Sequence, residues 1–285
     1  MKILHAFSTD LNQDITATKA DSLFPEKIKS PQNFVCIDEV CRAPITCVNL
    51  ANPAEKRKRV LHFKLSSELR PHTKDCCVQK DIDGQSKKIS RNTNNHHNTN
   101  EDKEFIFHIL PDDTKNKPEQ YSNNNLGSSH LIKETSIKKT STHQGYLEEV
   151  IDIFHNNPNQ QILIKVEKKL FNIQELLTHI PNFQGDKQWH IYHGKGWINK
   201  KEDKYYIKFI ENVLYHNLQY TASFFIMKNF ILQLTSKNTI QKRLEKLSNI
   251  SKPYQIFILT NNFKENKNFI NLDFKGMRYC AFIEI

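Results

Sequence analysis

With 285 residues the chain is long enough for two ordinary domains, and its net charge of +10 favours polyanions as partners. The 38% apolar share fits a folded core diluted by polar sequence. No run approaches the roughly 18 apolar residues of a membrane span, and the first apolar stretch is too short for a secretory signal. We therefore expect a cytoplasmic protein that does not enter membranes.

Five of the six cysteines fall in two short segments near the N-terminus, FVCIDEVCRAPITC and HFKLSSELRPHTKDCC. Because the cytoplasm keeps thiols reduced, clustered cysteines there indicate a metal rather than disulfides. The segments offer C-x4-C and then H-x3-C, two chelating pairs that can clamp one tetrahedral ion. A Cys3His set fills all four positions of a structural zinc. The spacing predicts a structural Zn2+ site at Cys36, Cys41, His72 and Cys76.

Other cysteines and one histidine bear on this assignment. Cys77 is an alternative to Cys76, and His62 is an alternative to one of the four ligands. Cys47 alternates with apolar residues in a strand-like run, and Cys280 lies in the last predicted strand, so we expect both in the core.

The segments ATKADSLFPEK, FVCIDEVCRAPIT and LHFKLSSELRPHTKDC together resemble the N-terminal zinc-finger module of competence protein CoiA-like proteins. The resemblance covers about residues 15 to 78. It implies a zinc module and a bacterial or phage setting, such as antiviral defence or DNA uptake. The sequence that follows departs from this family, whose next domain resembles a restriction-type nuclease, so nuclease activity is not carried over.

The middle of the chain is dominated by Asn, Lys, Ser, Thr and Asp, as in KKISRNTNNHHNTNEDK and PDDTKNKPEQYSNNNLGSSH. Such sequence buries too little apolar surface to offset chain entropy. Only EFIFHIL, residues 104–110, can form a strand there. We predict a zinc-binding module at 1–80, a mostly disordered linker at 81–140 and a β-rich α+β domain at 141–285.

The third segment opens with two helical patterns around a strand, QQILIKVEKKL. The stretch YLEEVIDIFH has Leu147, Val150, Ile151 and Phe154 on one face, which predicts an amphipathic helix. The stretch NIQELLTHI begins with Asn172 at a capping position, which predicts a second helix.

From residue 188 the pattern is mainly β, with a single predicted helix, TIQKRLEKLSNI, that turns Ile240, Leu244 and Leu247 inward. The predicted strands are WHIYHGKGWIN, KYYIKFIEN, ASFFIMKNFILQL, YQIFILT, FINLDF and MRYCAFIEI. Gly194 and Gly196 lie inside the long first strand. Three strands, a helix and two or three further strands are typical of an OB-like barrel, in which such glycines let the first strand serve both halves. Another α+β sandwich is the alternative.

Aromatic and basic residues alternate along the first two of these strands. Alternation sets Trp189, Lys195 and Trp197 on one face of the first strand. In the second strand it sets Tyr206 and Lys208 on a common face. Aromatic faces stack on unpaired bases while lysines follow phosphates, so the pattern predicts single-stranded DNA or RNA binding. The run at Lys56, Arg57, Lys58 and Arg59 predicts a phosphate-binding loop.

No phosphate-binding, nucleotide-binding or hydrolase motif is present. The nearest match to a Mg2+-dependent nuclease site is Asp152 with Glu167, Lys168 and Lys169, but Asp152 lies within a helix and faces away from its apolar stripe. The sequence therefore favours a non-enzymatic nucleic-acid-binding protein. A protein–protein adaptor and a CoiA-like nuclease are the alternatives, and the sequence does not determine the oligomeric state.

Overall fold

The computed structural model describes residues 3–52, 57, 61–85, 105–109, 112, 141–144, 146–156, 158–159, 161–167 and 169–285. These residues form both helices and strands, so the fold class is α+β, as predicted. Within this described part of the chain, no helix is both long and apolar enough to cross a membrane.

The N-terminal part is a five-stranded antiparallel sheet in the order β2-β1-β3-β4-β5. Its strands are β1 (His5–Ser8), β2 (Gln13–Thr16), β3 (Phe34–Val35), β4 (Pro44–Val48) and β5 (His62–Leu65). Helix α1 (Ala17–Ser22) follows β2, and helix α2 (Cys77–Gln85) follows β5. Phe34, Ile45 and Phe63 are buried on one side of this sheet and give it an apolar core of its own.

A second sheet of four strands has the order β7-β6-β8-β9. Its strands are β6 (Phe105–Ile109), β7 (Ser141–Gln144), β8 (Ile162–Val166) and β9 (Lys169–Asn172), with helix α3 (Leu147–Asn156) between β7 and β8. Leu147, Val150 and Ile151 of α3 are fully buried, as the amphipathic pattern predicts. Asp152 lies off this stripe but is also buried, because Thr16 of the N-terminal sheet covers it and donates a hydrogen bond to it.

The C-terminal part is an eight-stranded sheet that curls into a half-barrel around helices α5 and α6. Its elements in chain order are α4 (Ile173–Leu176), β10 (Leu177–His179), β11 (His190–Lys200), β12 (Lys204–Tyr215), β13 (Leu218–Met227), α5 (Lys228–Gln233), α6 (Lys237–Asn249), β14 (Tyr254–Thr260), β15 (Phe263–Asn266), β16 (Phe269–Leu272) and β17 (Cys280–Glu284). Single 3-10 turns cover Ile180–Asn182 and Met277–Tyr279. Leu244 and Leu247 of α6 lie in the enclosed core, as predicted.

The long strand β11 pairs with two different neighbours along its length. Residues 190–196 pair with β14, and residues 196–200 pair with β12. A Cβ at Gly196 would lie 2.7 Å from the carbonyl oxygen of Lys208, so only glycine allows this close approach. The hydrogen-bonded path runs from β15 to β17, with β10 beside β11.

Two segments differ from their predicted structure. ASFFIMKNFILQL is not one strand, because β13 ends at Met227 and α5 follows, which brings Ile231 and Leu234 into the core at helical spacing. NIQELLTHI forms only one helical turn, since its last residues pair as β10 with β11. Asn172 does cap that turn, through a hydrogen bond from Gln174 N.

The N-terminal part packs against helix α6 of the C-terminal part. Lys242 pairs with Asp38 at 2.8 Å, and Lys246 pairs with Asp14 at 2.8 Å. The division into domains at residues 80 and 140 stays a prediction. Helix α2 runs past residue 80, and most of the predicted linker lies outside the described residues apart from the end of α2, β6 and Asp112.

Candidate metal centre and outer sheet face

The first two cysteines of the candidate metal centre lie in the tight loop between β3 and β4. Cys36 N donates to Ala43 O at 2.8 Å, and Cys41 N donates to Asp38 O at 3.1 Å. Arg42 has a positive φ of 42°, which lets the chain reverse directly after the second cysteine. The loop therefore turns both thiols toward the same side.

The other two ligand candidates lie between β5 and α2. Cys76 N donates to Thr73 O at 3.0 Å in a turn, and helix α2 starts at the next residue. His72 and Cys76 are both buried. The N-terminal end of a helix favours a thiolate over a thiol, so Cys76 is well placed to act as a ligand.

The four side chains converge on one point. The distances are 3.6 Å from Cys36 Sγ to Cys76 Sγ, 3.4 Å from Cys41 Sγ to His72 Nδ1 and 3.5 Å from Cys76 Sγ to His72 Nδ1. All four ligand atoms lie within 4.8 Å of one another. Zinc bonds of about 2.3 Å to sulfur and about 2.0–2.1 Å to nitrogen give tetrahedral edges of about 3.8 and 3.6 Å. The group could hold a metal ion, and its donor set fits zinc.

Backbone amides support the sulfur atoms of this group. Asp38 N donates to Cys36 Sγ at 3.5 Å, and Thr73 N donates to Cys41 Sγ at 3.5 Å. Partial positive charge around sulfur is what a thiolate ligand requires.

Asp38 connects the two ligand segments to each other and to α6. Its carboxylate accepts from Val40 N in the first loop and from Cys77 N at the start of α2. Burial alone raises the pKa of Asp38, but the ion pair with Lys242 and the Cys77 N–H outweigh it and hold the pKa below its ordinary value. The charged carboxylate therefore fixes the candidate metal centre against the C-terminal part.

The remaining cysteines have the positions that the sequence predicts. Cys47 and Cys280 are buried in apolar clusters. The four-residue group contains neither Cys77 nor His62, although Cys77 forms a second group with Asp38 and Cys76. None of the six cysteines forms a disulfide bond.

A second candidate site is the outer face of β11, β12 and β13. In one cross-strand row Trp197 lies opposite Lys208, and in the next Asn199 lies opposite Tyr206. These rows continue on β13 with Ser223, Phe225 and Met227, which lie opposite Lys208, Tyr206 and Lys204 respectively. The alternate residues Ile198, Ile207 and Phe224 are buried on the inner side.

Alternation predicts one outward face on β11 and one on β12, but it does not say how the two faces are related. The antiparallel register places Trp197, Lys208 and Tyr206 on one surface, with Lys195 two residues before Trp197. Because cross-strand neighbours share a face, the register decides this and the alternation within each strand does not.

Aromatic rings on this outer face lie next to one another. Tyr206 and Phe225 stack with centroids 5.1 Å apart, and Lys204 Nζ lies 4.8 Å from the centre of the Phe225 ring. Trp197 is 38% exposed. Sequence reasoning missed Lys204 and Phe225, although the alternation in ASFFIM could have indicated Phe225.

Other predicted binding residues have different surroundings. Arg57 donates to both oxygens of Asp21, at 2.8 and 2.5 Å, so its charge is already paired. The other members of that run, Lys56, Lys58 and Arg59, lie outside the described residues. Trp189 is buried against Tyr279, because the second sheet covers the start of β11.

The residues that most nearly match a Mg2+-dependent nuclease site do not form such a site. Asp152 makes a structural hydrogen bond, and Glu167 lies in a turn. Asp152 accepts from Thr16, and burial together with nearby Glu148 raises the pKa of Asp152 to about 7. Glu167 has a φ of 55° in the turn between β8 and β9, where Lys168 lies outside the described residues and Lys169 starts β9.

Comparison with known proteins gives no relative. No protein-family profile matches the chain, and neither the curated proteins nor the solved structures include a match.

Proposed function

We propose that the protein binds single-stranded DNA or RNA on the outer face of β11, β12 and β13, and that a structural zinc ion stabilises its N-terminal part. The observation that carries this proposal is the cross-strand arrangement of Trp197, Tyr206 and Phe225 among Lys195, Lys204 and Lys208. No acidic side chain is among the outward residues of these rows, all of which belong to the described part of the chain.

The chemistry of the face suits an unpaired strand. Exposed aromatic rings stack on bases of any sequence, and lysines neutralise successive phosphates without reading bases. A duplex hides its bases and offers only its phosphates, so it would use the lysines and not Trp197 or Tyr206. The net charge of +10 adds a long-range attraction for a polyanion.

An OB-like arrangement is part of the proposal. The double pairing of β11 and the parallel pairing of β13 with β16 support it. In OB-folds the second and third strands carry oligonucleotides, which correspond here to β12 and β13. The proposed setting, suggested by the resemblance to CoiA-like modules, is bacterial or phage defence or DNA processing.

Zinc at Cys36, Cys41, His72 and Cys76 would have a structural role. Four protein ligands leave no open position for water, which is typical of structural rather than catalytic sites. Asp38 then joins the loaded centre to Lys242 of α6.

Binding of the full-length protein to fluorescent oligonucleotides tests the proposal. We expect single-stranded DNA or RNA to bind more tightly than the matching duplex. The affinity should fall with salt by a log–log slope of about 0.7 per neutralised phosphate. Absence of binding to every oligonucleotide at low salt would overturn the proposal, and a protein–protein adaptor would replace it.

A further inference from the structure

Two histidines lie side by side where the outer face of β11 meets β10. Strand β10 pairs in parallel with β11 and puts His179 opposite His193. Their ring centroids are 5.3 Å apart. His193 is two residues before Lys195 on the same face of β11, so the pair continues the lysine and aromatic surface.

A carboxylate completes this cluster. Glu211 Oε2 lies 2.9 Å from His179 Nε2, and the two side chains are 36% and 40% exposed. The pairing of β12 with β13 shifts register between Lys208 and Asn212, and such a bulge re-aims the side chain that it contains. A Cβ at position 194 would lie 3.0 Å from the same carboxylate oxygen, so Gly194 leaves the room that Glu211 occupies.

His193 is held by its other neighbours. Its ring stacks on Phe257 with centroids 5.5 Å apart, and its Nδ1 contacts the side-chain amide of Gln255 at 3.4 Å. That contact leaves Nε2 for a ligand. Burial lowers the pKa of His193 and the neighbouring His179 lowers it further, although Glu211 opposes this shift. The lowered pKa favours the neutral, proton-accepting form of His193.

We propose that this cluster cleaves single-stranded RNA without a metal ion, with His193 as general base, His179 as general acid and Lys195 beside the phosphate. The inference rests on the proposed nucleic-acid binding and narrows it to RNA. Two rings about 5 Å apart can face the attacking and the leaving oxygen of one phosphodiester, each within hydrogen-bond reach. Glu211 is a positioning residue, since a carboxylate on one ring nitrogen fixes the orientation of the ring and leaves the other to transfer a proton.

The reaction is an internal transesterification whose atoms and protons balance. His193 Nε2 accepts the proton of a ribose 2′-hydroxyl, and the 2′-oxygen forms a bond to the adjacent phosphorus. The bond from phosphorus to the 5′-oxygen breaks, and His179 Nδ1 gives its proton to that oxygen. The products are a 2′,3′-cyclic phosphate and a 5′-hydroxyl end. The two histidines exchange protonation states and recover them from water, so no redox partner or cofactor is consumed.

The experiment uses full-length protein with a single-stranded RNA and an all-deoxy oligonucleotide of the same sequence, in buffer without added metal or chelator. Mass spectrometry should find 2′,3′-cyclic phosphate ends from the RNA and an intact deoxy strand. His179→Gln and His193→Asn should each slow cleavage on the order of a hundredfold or more. The Kd for the deoxy strand should stay unchanged, because it measures binding without chemistry. Glu211→Gln should lower the cleavage rate by a smaller factor, again without weakening binding.

His216→Asn is the matched control, since His216 is an exposed histidine in the β12–β13 turn with a positive φ that Asn tolerates. It should cleave at the wild-type rate. Binding of the deoxy strand without cyclic-phosphate products from the RNA would overturn the cleavage proposal and leave the binding proposal standing. Equal cleavage by wild type and by both histidine variants would also overturn it, because the activity would then belong to a contaminant. If a variant at 179 or 193 fails to fold, as judged by its circular dichroism, the Glu211→Gln variant decides: unchanged cleavage overturns the proposal.

Discussion

The carboxylate of Asp81 caps helix α6 at Thr239: one carboxylate oxygen accepts from the Thr239 backbone N–H at 2.9 Å and from its hydroxyl at 2.6 Å. The other oxygen accepts from the backbone and side chain of Asn238. Ser236, at the N-cap position, makes no capping bond with its own side chain. Helix α2 of the N-terminal part therefore supplies the cap that α6 lacks.

Removing this cap should destabilise the whole protein. We expect Asp81→Ala to lower the free energy of unfolding by about 2 kcal/mol, because the donors at the start of α6 lose their acceptor. Chemical denaturation measures the change. Asp83→Ala is the matched control, since Asp83 is an exposed carboxylate on the same helix and its loss should change stability by less than about 0.5 kcal/mol. Equal effects of the two substitutions would contradict a capping role.

The pH dependence of stability should carry the signature of Asp152. Its folded pKa of about 7 exceeds that of an unfolded Asp, so the folded protein holds a proton that the unfolded chain releases between about pH 4 and 7. The contribution of Asp152 to the free energy of unfolding is fully present below about pH 4. It declines as the pH rises, by at most about 1.4 kcal/mol per pH unit.

Asp152→Asn removes that proton exchange and can keep the contact with Thr16. The difference in unfolding free energy between this variant and wild type should therefore grow from about pH 4 to 7 in favour of the variant. Denaturation series at several pH values measure this difference, in which the titration of shared histidines cancels. A difference that is independent of pH would show that Asp152 stays ionised in the folded protein.

Metal content tests the Cys3His centre. We expect elemental analysis to find close to one zinc per chain in protein purified without chelator, since all four ligand atoms lie within 4.8 Å. Cys41→Ser and His72→Ala should each reduce the zinc content and lower the temperature of unfolding. Cys280→Ala, which removes a buried thiol elsewhere, should keep the metal. Zinc-free wild-type protein would contradict the assignment.

Binding measurements should distinguish charge contacts from stacking contacts on the outer face, because the two affect the salt dependence of the affinity differently. Lys195→Ala should weaken binding to all sequences and reduce the salt slope, because one phosphate contact is lost. Trp197→Ala should cost about 1 to 3 kcal/mol of binding free energy with the slope unchanged, because a stacked base is lost. Lys64→Ala, an exposed lysine on β5, is the control and should bind as wild type. Unaltered binding by both face variants would place the nucleic acid elsewhere.

Limited proteolysis tests two predictions: cleavage within residues 81–140, from the sequence, and association of the fragments, from the structure. The composition of residues 81–140 predicts trypsin cleavage there. The Asp81 cap and the pairs Asp38–Lys242 and Asp14–Lys246 predict that the two resulting fragments stay associated. Size-exclusion chromatography of the nicked protein should give one peak that contains both fragments. Separate elution under native conditions would contradict the interface.

The sequence predicts that Cys36, Cys41, His72 and Cys76 come together, because the determinants of this grouping are local. Cys36 and Cys41 chelate from one loop, and His72 and Cys76 from one turn, so spacing along the chain is enough to pair them. The helix with Leu147, Val150 and Ile151 on one face was also predictable, because the helical spacing of its apolar residues, about 3.6 residues per turn, lies within one continuous stretch.

What joins these segments is not local, and the sequence does not predict it. Nothing near Asp81 indicates that its partner is Thr239, and nothing near Asp38 indicates Lys242. Alternation within each strand likewise does not predict that Trp197 and Lys208 lie opposite each other, because the relation between two strands depends on their register.

The amino-acid sequence by itself therefore determined the Cys3His group, the amphipathic helix, most strands and the basic charge. Only the tertiary structure decided that Lys208 lies opposite Trp197, that His179 lies beside His193, and that α2 caps α6. The physical reason is range: periodicity and chelate spacing act within about ten residues, whereas register, bulges and helix docking follow from how the whole chain buries its apolar surface.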